Sequence, residues 1–456
     1  LTFCGVGISP SRAMSPRKHS RPLRIAFCHP DLGLGGAERL IVDAAQELAA
    51  RGHKVEISTA YYDPARSFEE TRSGAFAIKV RGGWFPRSLG GRAIALCAYI
   101  RCLIMAVSLS WSCWRAASRP DVVIVDQVSV AIPLLCWLLR RPVLFYCHFP
   151  DLLLAAPTTR LHRFYRAPLD WLEQATTGTA DLVVVNSRFT QGIFARTFRR
   201  LHGRGLVPDV LYPAVVVPSD AQLAAARAGC KRTLPPDLAR FIESRDAVFL
   251  SINRFERKKN VGLAIRALAA AQAQASHQGA SAANPLLGLV IAGGHDARLR
   301  ENVEHLAELR ALAAELGVAG AVAFLPSFTD AQRAALLASA RAVLYTPTDE
   351  HLGIVPLEAA AAGRAVLACA SGGPLETVVE SETGLLRDPR PEVWADALRA
   401  LCVPGAAERM GAAARRRAAL RFSRAAFGER LEGLVARLAA HRAQRAGAGG
   451  GGAKTQ

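Results

Sequence analysis

Paired cysteines are missing from this chain. Its ten cysteines are Cys4, Cys28, Cys97, Cys102, Cys113, Cys136, Cys147, Cys230, Cys369 and Cys402, and none makes a C-x-x-C pair. That spacing argues against zinc ribbons and dithiol redox sites. Several of the thiols fall in apolar, strand-like runs, so they read as buried free cysteines in a reducing compartment. No N-x-S/T sequon occurs, in agreement with a cytosolic placement. D-x-D and H-E-x-x-H are absent, and no His/Cys cluster has ligand spacing, so no metal site is expected. Basic residues are not interleaved with aromatics as in single-strand binders. Residues 1–22 are basic and irregular and hold no apolar core of signal-peptide length. They are read as an irregular arm.

Long hydrophobic runs are also scarce. Only Ile94 to Trp114 has spanning length. Arg101 interrupts it, Ser108, Ser110 and Ser112 dilute it, and Trp111 and Trp114 suit an interface. Three readings stand: a core helix, a membrane span, or a helix lying in a membrane surface, with Arg87, Arg92, Arg115 and Arg119 as basic flanks.

What the chain does have is length, apolar content and positive charge. Its 456 residues suffice for two or three domains, and 51% hydrophobic content argues for a folded protein. The formal charge of +19 predicts an anionic partner: nucleic acid, an anionic membrane or a phosphorylated substrate.

Residues 23–215 alternate strand and helix patterns. Strand candidates start at Arg24, Lys54, Val122, Val143 and Leu182, and Gly36 to Ala50 is a helix with one apolar face. Residues 216–245 carry Pro218, Pro235 and Pro236 with few strand signals and are read as a linker region. Alternation resumes over 246–405. Residues 406–442 form a C-terminal helical segment, and the Gly-rich tail 443–456 is expected to be disordered. Continuous apolar strands separated by helices indicate parallel sheets covered on both faces. The fold class expected is therefore α/β: two doubly wound, Rossmann-like domains facing across a cleft. Ligands then bind beyond the carboxyl ends of the strands.

The most informative loop in that position is Glu350-His-Leu-Gly-Ile-Val-Pro-Leu-Glu358. It offers a carboxylate at a strand's end, a helix start at Leu352 and Gly353, and a second carboxylate further along that helix. Unpaired N–H groups at a helix start take a phosphate, while the carboxylates accept hydrogen bonds from hydroxyls. Arg254 and Lys259 also follow a strand and can converge on a diphosphate, whereas Arg257 and Lys258 read as a solvated face. Gly293-Gly294 allows close backbone approach.

In the first half, His29 to Glu38 opens a helix through Gly35 and Gly36. It is not a dinucleotide fingerprint, because Glu38 stands where the last glycine belongs. An anion or sugar contact and a plain turn both fit. His148 follows a strong strand, at the expected cleft, and can exchange a hydrogen bond with a substrate hydroxyl. Asp151 can orient His148 or bind an acceptor.

These residues carry a resemblance. Glu350 to Glu358, with Arg254, Lys259 and two doubly wound halves, resembles retaining GT-B glycosyltransferases of the glycogen-synthase-like, family 4 type. HPDLGLGGAERLIVDAA (29–45), CHFPDLLLA (147–155), INRFERKKN (252–260) and EHLGIVPLEA (350–359) are similar to the alpha-1,3/1,6-mannosyltransferases of the dolichol-linked oligosaccharide pathway. The resemblance runs from about Arg24 to Cys402. It implies GDP-mannose as donor, held mainly by the second domain, and no cofactor. It implies mannosyl-chitobiosyl-diphosphodolichol as acceptor, at the cytosolic face of the endoplasmic reticulum membrane, with other glycosyltransferases of the pathway as candidate partners, and no nucleic acid. Two mannoses are added with retained configuration. Glu350 then touches the donor sugar, Glu358 the ribose, and Arg254 and Lys259 the diphosphate. His148 lies near the transferred sugar, and Gly35 and Gly36 approach the donor phosphate. Leu352 and Gly353 form the helix start that seats the diphosphate, and Asp31 and Asp151 are acceptor candidates. Two departures are the arm before Arg24 and the lack of a strongly hydrophobic segment after Cys402.

Overall fold

The computed structural model describes residues 21–90, 93–154, 160–277 and 285–450. The first half is built on seven strands: β1 (Arg24–His29), β2 (Lys54–Thr59), β3 (Ala77–Val80), β4 (Val122–Asp126), β5 (Val143–Cys147), β6 (Leu182–Val185) and β7 (Asp209–Val210). They pair in parallel in the order β3-β2-β1-β4-β5-β6-β7. The reversal between β1 and β4 is the switch point where doubly wound sheets bind ligands. Strands β4 and β5 are buried along their whole length, which is why their sequences do not alternate.

Successive side chains still point to opposite faces. Ala26, Cys28, Val123 and Val125 pack under the helices α2 (Ile94–Arg115), α3 (Ile132–Leu139) and α5 (Arg160–Thr177). Ile25, Phe27, Val122 and Ile124 pack under α1 (Gly36–Ala50). Between α3 and α5 runs the single turn α4 (Asp151–Leu154). Helices α6 (Arg188–Thr197) and α7 (Arg199–Gly203) complete this half.

The second half holds β8 (Ala247–Ile252), β9 (Leu287–Gly293), β10 (Val322–Pro326), β11 (Ala342–Tyr345), β12 (Ala365–Cys369) and β13 (Gly384–Arg387). Their order, β10-β9-β8-β11-β12-β13, repeats the topology of the first six strands. The linker expected at 216–245 is instead three helices: α8 (Asp220–Ala228), α9 (Cys230–Thr233) and α10 (Pro236–Glu243). Leu234, Leu238 and Ala239 are packed with Val248 and Leu250, so this stretch belongs to the second core. The prolines misled because Pro236 opens α10, a position where proline's missing N–H costs nothing. Ser219 and Gln222 form a capping box that starts α8 after Pro218. Around the sheet lie α11 (Gly262–His277), α12 (Arg300–Glu315), α13 (Asp330–Ser339), α14 (Ile354–Ala361), α15 (Pro374–Thr377), α16 (Pro391–Cys402), α17 (Ala406–Arg421) and α18 (Arg424–Gly450).

The single helical segment expected at 406–442 is two helices, broken at Phe422-Ser423, and the second continues to Gly450, inside the stretch expected to be a disordered tail. Helix α18 crosses back to the first half, where Phe427, Leu431, Leu434 and Val435 join the core of Ile25, Leu40 and Ile41. The two crossings run side by side, with Val215 N–H donating to the Phe422 carbonyl at 2.8 Å. Glu376 reinforces this hinge. Its carboxylate accepts the backbone N–H of Arg188 at 2.8 Å and of Phe189 at 2.7 Å, two orphan donors at the start of α6, and the Tyr212 hydroxyl at 2.8 Å.

Candidate active site

A cleft of about 2260 Å³ lies between the halves and is lined from both. Gly35, Gly36, His148, Asp151, Arg254, Lys259, Glu350, Leu352, Gly353 and Glu358 all border it. Asp31 does not. Its carboxylate is taken by Arg101 at 2.8 Å and Arg87 at 3.3 Å. Arg101 is therefore buried within the protein, at 5% exposure, although it interrupts the apolar helix α2.

On the second half's side, β11 ends at Tyr345, and the chain turns through Glu350 into α14. Gly353 adopts φ 79°, and a Cβ there would meet the Tyr345 ring at 3.0 Å. Glycine is required on both counts, conformation and space. The turn aims the N-terminus of α14 at the cleft, with Leu352, Gly353, Ile354 and Val355 in its wall. Glu350 is engaged by the Lys259 ammonium in a close ion pair. Lys259 itself is placed by the loop after β8, where its carbonyl accepts the Thr346 hydroxyl at 2.7 Å. Arg254 is more open, 62% exposed along its side chain, and pairs with Glu256 at 2.8 Å. Gly293 allows the neighbouring loop to approach, since a Cβ there would overlap the Asn253 carbonyl. Glu358 has a partner that the sequence did not disclose: Arg333 on α13, at 2.5 Å. Burial raises the Glu358 pKa, and the Arg333 guanidinium opposes the rise.

On the first half's side, the ends of three adjacent strands converge. Asp126 closes β4 and is fully buried. Its Oδ2 stands 2.8 Å from His29 Nδ1, at the end of β1, and its Oδ1 stands 2.7 Å from His148 Nε2, just after β5. The second is a close polar contact rather than an aligned hydrogen bond. Burial alone would raise the Asp126 pKa, but His148 and His29 outweigh it and hold the carboxyl down at about 2. Burial likewise disfavours a charged His29, yet the Asp126 carboxylate overrides it and the pKa is raised. Asp126, not Asp151, is thus the carboxylate that holds His148. The sequence carries the signal, an acidic residue directly after the apolar run Val122 to Val125, but no site reading was attached to it. Asp151 pairs with Arg166 at 3.0 Å.

The halves meet behind these groups. Phe149 stacks on His351, ring centroids 3.7 Å apart and 12° from parallel, and the Ser187 hydroxyl donates to the His351 carbonyl. Burial lowers the pKa of His351. The arrangement offers cations and a helix N-terminus on one wall, and a carboxylate-held histidine with a glycine-led helix start on the other. That suits a phosphate-bearing donor against a hydroxyl nucleophile.

Two doubly wound domains facing across such a cleft define the class: a GT-B glycosyltransferase. Residues 34–204 match the family described as Glycosyltransferase Family 4, and residues 239–417 match Glycosyl transferases group 1. The chain is 43% identical over 418 residues to alpha-1,3/1,6-mannosyltransferase ALG2 of Homo sapiens, covering 91% of this chain and 96% of that protein. It is 42% identical over 437 residues to the ALG2 enzyme of Rhizomucor pusillus, covering 92% of each. The chain belongs to this family of alpha-1,3/1,6-mannosyltransferases, and it is a mannosyl-transferring enzyme. Among solved structures, it is similar in fold to sucrose-phosphate synthase from Thermosynechococcus elongatus, with a TM-score of 0.66 at 22% identity, covering 91% of this chain and 99% of that one. HepE of Anabaena gives a TM-score of 0.63 at 18% identity, covering 91% and 100%.

Proposed function

We propose that the chain transfers mannose from GDP-mannose to a mannosyl-chitobiosyl diphosphate carried on dolichol, adding alpha-1,3 and alpha-1,6 mannoses at the cytosolic face of the endoplasmic reticulum membrane. The donor diphosphate lies against the N-terminus of α14, Lys259 and Arg254, which neutralise the charge that grows as GDP departs. Glu350 positions the mannose, Glu358 accepts the ribose hydroxyls, and Gly35 and Gly36 bring the start of α1 against the donor phosphate. His148, held by Asp126, faces the transferred sugar. The departing phosphate takes the acceptor proton on the same face of the sugar, so the configuration is retained. Because these protein groups carry the charge, the reaction needs no divalent cation, and transfer is expected to persist in EDTA.

The observation that carries the lipid-linked part is helix α2. Ile94, Ala95 and Ala98 border the cleft mouth, while Trp111 and Trp114 further along are exposed. Among the described residues this is one helix long and apolar enough to cross a membrane. Its paired Arg101 and its inward face, including Cys102, Met105 and Leu109, are buried against the domain. We read it as lying along the bilayer surface. Purified protein, radiolabelled GDP-mannose and a phytanyl-linked Man-GlcNAc2 diphosphate test the reading, with products resolved by linkage. Transfer is expected to give both linkages. Transfer to a different acceptor, with none to this one, rejects it.

A further inference from the structure

One polar wall of the cleft, around Asp151, Arg166 and Glu173, lies apart from the groups assigned above to the donor. We infer that Asp151, held by Arg166 and backed by Glu173, is the subsite for the sugar end of the acceptor, and that it reads neutral hydroxyl groups rather than phosphate. The inference rests on the lipid-linked acceptor proposed above.

Arg166, Asp170 and Glu173 lie on one face of α5, at spacings of four and three. Arg166 is 2% exposed, and its Nη2 stands 3.0 Å from Asp151 and 2.9 Å from Asp170. Glu173 is also buried, at 6% exposure, and accepts the backbone N–H of Asp151 at 2.7 Å and of Leu152 at 3.1 Å. The turn carrying Asp151 is thus fixed from below by two side chains of one helix. Asp151, Arg166 and Glu173 all border the cleft, together with Tyr99 and Tyr165. Two groups remain for a ligand. Arg166 occupies only Oδ2 of Asp151, whose side chain is 40% exposed. The Nε of Arg166 is buried with no hydrogen-bond partner among the described residues.

Charge selects the ligand class. Asp151 and Asp170 flank the one guanidinium, with Glu173 behind the Asp151 backbone, so the wall is acidic within a chain whose formal charge is +19. Burial, with Asp151 and Asp170 adding to it, pushes the Glu173 carboxyl up to about 7. A phosphate is repelled here and finds cations elsewhere. Sugar hydroxyls donate to Asp151 at no such cost. Position agrees with this assignment. Asp151 follows His148 by three residues, and Ile94, Ala95, Ala98 and Tyr99 start α2 at the cleft, from which the helix runs on to its exposed tryptophans at the far end. The sugar end therefore sits inside, and the lipid leaves along α2. Asp151 is free for this role because Asp126 already holds His148.

The test compares wild type and Asp151→Asn with the phytanyl-linked acceptor at saturating GDP-mannose. The expected result is an acceptor KM raised at least tenfold with kcat within threefold and the Kd of GDP-mannose within twofold. Inhibition by phytanyl diphosphate, which lacks sugar, is expected to be equal in the two proteins. Asp151→Glu, which keeps the charge, is expected to recover part of the loss. An unchanged acceptor KM in Asp151→Asn overturns the subsite while leaving the acceptor reading intact, as does weakened inhibition by the sugar-free diphosphate. Failure of wild type to use the acceptor overturns both.

Discussion

Single residues in this cleft are held by partners chosen from distant parts of the chain, and that sets what their replacement does. Lys259 and Glu350 are each other's ion-pair partner. In the proposed donor complex the two side chains contact diphosphate and sugar, so removing either is expected to cost transition-state stabilisation. Lys259→Ala and Glu350→Ala are each expected to lower turnover at least tenfold, a barrier increase of about 1.4 kcal/mol or more. Steady-state rates with GDP-mannose check this, and near-normal rates in both variants reject the donor wall as drawn. Asp126 behaves differently because it is buried between two histidines. Asp126→Asn leaves them without their anion. Breaking a buried charged pair on one side costs about 3–5 kcal/mol, so the variant is expected to lose stability as well as activity, read by denaturant unfolding. His148→Ala at the cleft surface, by contrast, is expected to lose activity with little change in the unfolding midpoint.

At the scale of elements, the turn into α14 decides whether the donor wall exists. Gly353→Ala places a side chain at φ 79° and against Tyr345. A left-handed conformation costs a non-glycine residue about 1–2 kcal/mol. The variant is expected to unfold by that much more readily and to bind GDP-mannose more weakly, measured by thermal unfolding with and without donor. This turn was legible in the sequence, because a strand, a glycine and an apolar helix follow one another without ambiguity. Helices α8–α10 were not, because prolines mark helix starts as readily as loops, and only packing on Val248 and Leu250 distinguishes the two. The break between α17 and α18 was hidden for a related reason: Phe422 and Ser423 carry no breaker signal, and the return to the first half is a tertiary event. Site residues were legible where a loop follows a strand. Arg333 and Arg166 were not, because each acts from within a helix on a carboxylate in a different element. Helix α5 also carries a pH response. The folded pKa of Glu173, about 7, lies above its usual value of 4.5. Its contribution to stability is full below 4.5 and is lost as the pH rises toward 7. Wild type is therefore expected to lose more stability between pH 5 and pH 8 than Glu173→Gln, in parallel thermal melts; equal slopes reject this titration.

Over the whole molecule, the distribution of tryptophan is the feature that a soluble two-domain enzyme does not require. Of six tryptophans, only Trp394 is buried in the second half's core; Trp84, Trp111, Trp114, Trp137 and Trp171 are 58–77% exposed, all in the first half. Trp111 and Trp114 on α2, Trp137 on α3, and Trp171 with the exposed Phe164 on α5 belong to helices covering the same sheet face. Tryptophan is usually well buried, and its amphipathic ring favours the membrane–water boundary. The positive charge of the chain adds attraction to anionic headgroups, which salt screens. Neither Trp111 nor Trp114 borders the cleft. Replacing both with serine is therefore expected to weaken binding to phosphatidylcholine vesicles containing phosphatidylserine at least tenfold, about 1.4 kcal/mol, in a flotation assay. Transfer to a detergent-dispersed acceptor is expected to continue. Raising the salt from 0.1 to 0.5 M is expected to weaken both proteins by a similar factor, because it acts on the basic groups and not on the rings. Vesicle binding that is unchanged in the double variant would place the bilayer against some other face, and the path from cleft to lipid along α2 would then be wrong.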